Sequence, residues 1–205
     1  MVRLVLHAEG RAGHASRPWE GTNAIERAAD DIAALRALAA ELAGGDPTTP
    51  PPPGRVIPTI QPTLMQAGTA KNVIPDAAEV VLDVRTTPDC DNAALIARIT
   101  AAVRSRVEVI SQRFLPIATP ATAAVIRAAR AALPQAAVRP AGGVSDLFFL
   151  ATAPGGPVPG CLIGPGDGRQ SHQPDEFVSL TMVRRAAGAY AALAERFWET
   201  PDDGH

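Results

Sequence analysis

The chain has 205 residues, of which 46% are hydrophobic and 20% are charged, and its formal net charge is −2. This composition predicts one large or two small folded domains, and it excludes collagen, disorder and a coiled coil as descriptions of the whole chain. The near-neutral charge argues against nucleic acid or an anionic membrane surface as a partner, and no uncharged apolar run is long enough to span a bilayer.

The start of the chain and its cysteines indicate the cellular compartment. The first ten residues contain Arg3, His7 and Glu9, so they lack the long apolar stretch of a signal peptide. Cys90 and Cys161 are too far apart for a metal-binding pair, and two cysteines are too few for a disulfide framework. We therefore expect two reduced thiols in a cytoplasmic protein.

Residues 1–117 alternate strand and helix patterns. The spacing of apolar residues predicts strands at 2–8, 55–66, 78–86 and 107–117, and helices at 23–43 and 92–106. Pro58 and Pro62 place the second of these strands at a sheet edge. The order β-α-β-β-α-β is the ferredoxin-like pattern, which builds a four-stranded antiparallel sheet with both helices on one face.

Residues 118–205 follow a different order. The pattern predicts helices at 122–133, 146–151 and 180–198, and short strands at 136–139 and 158–163. Alternating helices and strands indicate parallel strands in a sheet that is covered on both faces. Because two strands make a poor sheet, we expect this half to be part of a larger α/β layer, so the fold class is α/β with an α+β first domain.

Four segments place polar side chains beside glycines or on an exposed strand face. The candidate functional residues in them are His14, Asn72, Arg85, Gly143, Ser145 and His172. A glycine lets the backbone approach a ligand closely, and glycines before a helix start leave backbone N–H groups ready for an anionic oxygen.

Each segment also has an ordinary structural explanation. His14 is either a surface loop histidine or a functional one, and residues 68–75 are either a plain β–β turn or a binding loop. Asp83 and Arg85 share one strand face, where they form either an exposed ion pair or a site in which the arginine fork binds a carboxylate. His172 is either structural or able to act as a metal ligand or base.

Taken together, these segments resemble one family. The motifs are GHASRP at 13–18, GTNAI at 21–25, GTAKNVIP at 68–75, LDVR at 82–85, GGVSD at 142–146 and the loop 164–177. In this order they resemble the M20 metallopeptidases, which include acetylornithine deacetylase, succinyl-diaminopimelate desuccinylase, aminoacylase and carboxypeptidase G. The resemblance implies that 1–117 is the dimerisation (lid) domain and 118–205 the C-terminal segment of the catalytic α/β domain.

The resemblance implies roles for three lid residues. His14 would reach across a homodimer into the partner's active site, where it would polarise the scissile carbonyl or stabilise its oxyanion. Asn72 and Arg85 would hold the carboxylate or acyl oxygen of the substrate. These roles imply a small carboxylate-bearing N-acyl amino acid or peptide as substrate.

The resemblance also implies a metal centre. Gly143 and Ser145 would line the substrate pocket, and His172 would be a terminal ligand of one of two Zn²⁺ ions. The other family ligands, an His-x-Asp motif, a bridging Asp and a Glu-Glu pair, belong to an N-terminal half that precedes the lid and is not in this sequence. One expected ligand is too few for a catalytic zinc, which takes three protein ligands.

The implied activity is therefore that of a truncated enzyme. Intact relatives would cleave an N-acyl amino acid amide or a peptide bond with a zinc-activated water, in the manner of acetylornithine deacetylase. We expect the isolated chain to be inactive and to form a homodimer through its lid. The alternative is a non-catalytic dimerisation or regulatory module.

Overall fold

The computed structural model describes residues 1–52, 54–141, 143–154 and 157–199, which divide into two units, Met1–Ile117 and Ala118–His205. The elements of the first unit are β1 (Val2–Glu9), β2 (Gly13–His14), a 3-10 turn (Pro18–Glu20), α1 (Ala24–Ala43), β3 (Thr59–Ala67), β4 (Val73–Ile74), β5 (Ala77–Arg85), α2 (Asn92–Ala102) and β6 (Arg106–Ser111).

The long strands of the first unit form one sheet in the order β3-β5-β1-β6, and every neighbouring pair is antiparallel. This confirms the predicted ferredoxin-like arrangement. The β3 strand lies at an edge and changes register between Pro62 and Leu64, because a proline has no N–H to give to the ladder. It begins at Thr59, after Pro58, four residues later than predicted, and β6 ends at Ser111 rather than at 117.

One face of the sheet carries the hydrophobic core. Alternate residues of the central strands are buried there against one side of α1 and of α2. These strand residues are Val2, Leu4, Leu6, Ala8, Ala78, Val80, Leu82 and Val84. Both helices therefore cover the same face, as the period-two pattern predicts, and the other face is left to polar side chains.

The helices of the first unit have clear caps. The Asn23 side chain accepts the Ile25 N–H at the start of α1, and Gly44 ends it in the left-handed conformation at φ 69°. The α2 helix ends at Ala102, earlier than predicted. The buried carboxylate of Asp31 on α1 accepts hydrogen bonds from the backbone N–H groups of Arg104 and Ser105. These two residues connect the end of α2 to β6.

The described residues of the second unit form helices and loops. Its elements are α3 (Ala124–Ala132), α4 (Leu147–Ala151), a 3-10 turn (Gly168–Gln170) and α5 (Leu180–Glu199). The α3 helix packs against α5, and all three helices lie within two residues of their predicted positions. None of the helices in the described part of the chain is both long and apolar enough to cross a membrane.

The two strands predicted for the second unit were wrong. The described residues at 136–139 and 158–163 have no strand structure. A β-strand needs a neighbour for its N–H and C=O groups, and these segments do not pair with each other. Instead, Gly160 exchanges hydrogen bonds with the Thr119 hydroxyl, whose oxygen lies 2.6 Å from the Gly160 carbonyl and 3.3 Å from its amide nitrogen.

Candidate functional site

Two of the predicted site residues, His14 and Asn72, lie side by side. The short strands β2 and β4 pair antiparallel, with His14 opposite Val73. The next backbone N–H along the chain, that of Ala15, donates to the Asn72 carbonyl at 3.0 Å. Two loops more than fifty residues apart in sequence therefore form one exposed ribbon at the end of the sheet.

Glycines make this ribbon possible. A Cβ at Gly10 would lie 2.2 Å from the carbonyl oxygen of Thr22, and one at Gly21 would lie 2.8 Å from the side chain of Ile74. The Gly10 contact is with backbone, so the segment after β1 can approach the loop before α1 only without a side chain at this position. Gly21 lets the same loop lie against Ile74 of β4. This close approach fixes the loop that carries His14.

The ring of His14 is held through one nitrogen. Its Nδ1 lies 2.7 Å from the Ser16 hydroxyl and 3.2 Å from the Ser16 backbone nitrogen. A backbone N–H can only donate, so Nδ1 accepts and the ring proton is on Nε2. Within the described part of the chain, Nε2 has no hydrogen-bond partner, and the exposed ring can donate to an oxygen outside this chain.

Arg85 lies at the far end of β5 from this ribbon. The strand runs from Ala77, beside the ribbon, to Arg85, a distance of about 26 Å at the usual rise per residue. The structure therefore does not bring Arg85 together with His14 and Asn72 within one chain. Its guanidinium Nε lies 2.5 Å from Asp83 Oδ1 and its Nη2 lies 3.3 Å from Oδ2, which confirms that the two side chains share one face.

The surroundings of Arg85 are electropositive. The amino group of Met1 is partly buried nearby, and this burial, together with the positive charge of Arg85, lowers its pKa. Arg3 lies opposite Asp83 in the β1–β5 ladder, and its Nη2 is 3.7 Å from Asp83 Oδ2. Sequence reasoning missed Arg3, although the alternation along β1 already places it on this face.

A second polar group on the same face was also missed. His7 lies between two glutamates, with its Nδ1 3.1 Å from Glu79 and its Nε2 2.7 Å from Glu108. The alternating pattern of β1 puts His7 on the polar face, but only the pairing of three strands brings the carboxylates to it.

In the second unit, the residues predicted to line a pocket lie before α4. Gly143 is exposed, and a Cβ added to it would meet no atom within 4 Å. Ser145 is half-buried, and its carbonyl accepts the Phe148 N–H at 3.0 Å as α4 begins. Gly142, which belongs to the same motif, lies outside the described residues.

The loop after residue 163 borders an open cavity of about 540 Å³. Its lining residues are Gly164, Pro165, Gly166, Asp167, Gly168, Gln170, Ser171, Glu176, Phe177 and Val178. His172 is on this loop in a left-handed turn at φ 63°, and its backbone N–H donates to the Glu176 carboxylate at 3.1 Å. The side chain of His172 is exposed and is not among the described lining residues.

The described residues do not fit a complete metal site. No three His, Cys, Asp or Glu side chains within 1–52, 54–141, 143–154 and 157–199 are grouped closely enough to hold an ion. His172 therefore has no companion ligands among them. The two cysteines are free thiols, and burial raises the pKa of both Cys90 and Cys161, so neither is predisposed to bind metal as a thiolate.

The sequence and the fold are similar to those of known proteins. Residues 1–110 match the M20 family of peptidase dimerisation domains. The chain is 30% identical to the succinyl-diaminopimelate desuccinylase of Caulobacter vibrioides, over 96% of this chain and 51% of the relative. It is 27% identical to the acetylornithine deacetylase of Proteus mirabilis, over 94% of this chain and 50% of the relative.

The fold agrees with these similarities. The M20 family metallo-carboxypeptidase of Sulfolobus solfataricus superimposes with a TM-score of 0.71 at 12% identity, over 97% of this chain and 58% of that one. The chain spans about half the length of the curated relatives it matches. Since the family match covers more than half of its residues, the chain belongs to the M20 peptidase family through its dimerisation domain.

Proposed function

We propose that this chain supplies the lid and the C-terminal catalytic segment of an M20-type metal-dependent hydrolase. Its substrate would be a small N-acyl amino acid or peptide with a free carboxylate. The named relatives support this class, because acetylornithine and succinyl-diaminopimelate are both N-acyl amino acids. The observation that carries the proposal is the ring of His14, which is anchored through Nδ1 and offers its Nε2 proton outwards.

The proposed mechanism assigns the lid to binding and charge stabilisation. The His14 Nε2–H donates to the carbonyl oxygen of the scissile bond as negative charge develops there, which is the role of an oxyanion-hole donor. The neighbouring Asn72 amide holds the acyl oxygen or carboxylate, and the Arg85 fork binds the substrate carboxylate. His172 would be one ligand of a zinc ion whose other ligands the described residues do not provide, so we expect the isolated chain to be inactive.

The separation of these residues supports a homodimer. His14 and Asn72 lie about 26 Å from Arg85 along β5, which is longer than a small N-acyl amino acid. One substrate can therefore contact both only if they come from different subunits. The edge strand β3 offers a contact surface, since it is exposed after Ile60 and carries the exposed apolar side chains of Leu64 and Met65. Such an edge can pair with its twin about a two-fold axis.

A complementation experiment tests the proposal. The chain is fused to the half of the Caulobacter vibrioides desuccinylase that it does not match, and hydrolysis of succinyl-diaminopimelate and acetylornithine is measured. The variants His14→Ala and Arg85→Ala should each lower kcat/KM strongly, His14→Ala by about 10²–10³ and mainly through kcat. Mixing the two inactive variants should restore about a quarter of the wild-type rate, because half of the random dimers contain one intact site.

The controls separate this mechanism from its alternatives. Arg17→Ala alters an exposed residue of the same loop and should leave the rate unchanged. Failure of the mixed variants to recover activity would show that His14 and Arg85 do not serve one site across the dimer. Among the described residues, no three His, Cys, Asp or Glu side chains are grouped closely enough to hold a metal ion. This observation favours a second candidate function, that of a non-catalytic dimerisation module. An inactive fusion that sediments as a dimer would support that candidate.

A further inference from the structure

The open face of the sheet carries a three-residue cluster that the proposed function uses only in part. Asp83 lies on β5 between Arg3, its cross-strand neighbour on β1, and Arg85, two residues further along β5. Its side chain is 17% exposed, whereas those of Arg85 and Arg3 are 38% and 50% exposed. The carboxylate therefore lies beneath two guanidinium groups that reach towards solvent.

The distances show that the two guanidinium groups converge. Asp83 Oδ2 is 3.3 Å from Arg85 Nη2 and 3.7 Å from Arg3 Nη2. Since both nitrogens contact the same oxygen atom, they are at most about 7 Å apart. A single carboxylate can bridge donors at that spacing, because its two oxygens each reach a nitrogen at about 2.8 Å.

The charge of the cluster favours an anionic ligand. Two guanidinium groups and one carboxylate leave a net charge of +1 on these three side chains. The other end of the same face carries more acidic than basic side chains, since Glu79 and Glu108 flank His7 there and Arg106, 3.8 Å from Glu108, balances only one of them. An anionic ligand is therefore attracted to the Arg3 end and repelled from the other.

We infer that Asp83 is a positioning residue that aims Arg85 and Arg3 together at one substrate carboxylate, and that Arg3 is a second carboxylate-binding residue. The inference rests on the proposed carboxylate-binding role of Arg85. The fork between Asp83 and Arg85 uses the Nε edge of the guanidinium, which fixes the plane and direction of the group. A pre-oriented guanidinium loses less rotamer entropy when it binds a planar carboxylate.

The test uses the chain as it exists and a matched pair of ligands. N-acetyl-L-leucine carries one carboxylate, and N-acetyl-L-leucinamide has the same shape without the charge. Each is titrated into the chain at millimolar concentration while the Nε–H resonances of the arginines are followed by NMR. We expect the acid to shift the Arg3 and Arg85 resonances and the amide to shift neither.

Three substitutions separate positioning from simple charge attraction. Arg3→Gln should weaken binding of the acid about fivefold. Asp83→Asn removes one negative charge, so simple charge attraction predicts that the acid binds more tightly. Loss of positioning instead predicts that the acid binds about fivefold more weakly. Glu108→Gln makes the same charge change at the other end of the face and serves as the matched control, with affinity unchanged or slightly increased.

Tighter binding by Asp83→Asn, an unchanged affinity of Arg3→Gln, equal binding of acid and amide, or no shift of either resonance would each overturn the inference. Failure of the complementation experiment together with intact carboxylate binding here would instead remove the hydrolase assignment and leave this site standing.

Discussion

The two long helices α1 and α5 have the same length and similar apolar spacing, yet they are buried very differently. The α1 helix buries six residues, five of which belong to the hydrophobic core, whereas α5 buries none of its twenty. Both helices have the spacing of apolar residues that is typical of a helix packed on one side. Whether that side is buried depends on a neighbouring sheet or helix layer. The first unit contains such a layer in its own four-stranded sheet.

The surfaces of the two units differ in the same way. Central strand residues of the first unit, such as Leu4 and Leu82, are completely buried. In the second unit, large apolar side chains such as Phe177 and Leu180 are 68% and 72% exposed. Contiguous exposed apolar surface is typical of a face that binds another layer of protein. The first unit therefore closes its own core, and the described part of the second unit does not.

The largest expected effect compares one leucine from each unit. Leu82→Ala removes a side chain with no exposed area and should lower the free energy of unfolding by about 3–4 kcal/mol, since it leaves a cavity between sheet and helices. Leu162→Ala removes a half-exposed leucine and should change it by no more than about 0.5 kcal/mol. Urea unfolding of the full chain, followed by circular dichroism, measures both.

Equal losses from these two substitutions would break the comparison. They would mean that Leu162 is packed as firmly as Leu82 and that the second unit has a core of its own. An unchanged m-value in both variants is the control, because it shows that the surface exposed on unfolding is the same.

The fold of the first unit could be predicted because its signals are local and agree with one another. Alternation along β5 placed Val80, Leu82 and Val84 on one face, and helical spacing placed α1 and α2 between the strands. The errors occurred where pairing decides the structure. The segments 136–139 and 158–163 have strand-like composition, but a strand also needs a partner, and no local pattern reports one.

The candidate site was predictable to a smaller extent. Glycines beside polar residues identified the loops of His14 and Asn72, but only the pairing of β2 with β4 shows that they meet. Asp31 was missed as a structural residue, because an acidic residue between apolar positions on a helix normally faces solvent. It is 2% exposed and contacts backbone more than seventy residues away.

Asp31 provides the second prediction, which concerns how the first unit is closed. Its carboxylate oxygens accept the Arg104 N–H at 2.8 Å and the Ser105 N–H at 3.1 Å. Asp31→Ala leaves these partly buried donors without an acceptor and should destabilise the chain by about 2 kcal/mol. Asp31→Asn keeps one acceptor oxygen, so it should lose about half of that.

A matched substitution in the second unit sharpens the comparison. Thr119→Val removes the hydroxyl that exchanges hydrogen bonds with Gly160, but the unit around it has little buried apolar surface. We expect a loss below about 1 kcal/mol. Hydrogen exchange at Ser105 and at Gly160, measured on the same samples, reports whether each effect is local. A larger loss from Thr119→Val than from Asp31→Ala would contradict the view that only the first unit is tightly closed.

The smallest expected effect concerns the two thiols, one in each unit. Burial raises the pKa of Cys90 and of Cys161 above the usual 9.0. The folded chain therefore holds these protons more tightly than the unfolded chain. The associated stability is fully present below the usual pKa of 9.0 and is lost as the pH rises through the folded pKa values. At pH 8 both thiols should react with iodoacetamide more slowly than a free cysteine, because less thiolate is present.

Low concentrations of urea should then separate the two cysteines. Cys90 packs against the hydrophobic core of the first unit, so its alkylation rate should stay constant until that unit unfolds as a whole. Cys161 is half-buried and is followed by the half-exposed Leu162. Local opening is easier in such a region, so its rate should rise at lower urea. Mass spectrometry of the alkylated peptides gives each rate separately, and simultaneous acceleration of both thiols would show that the two units unfold as one.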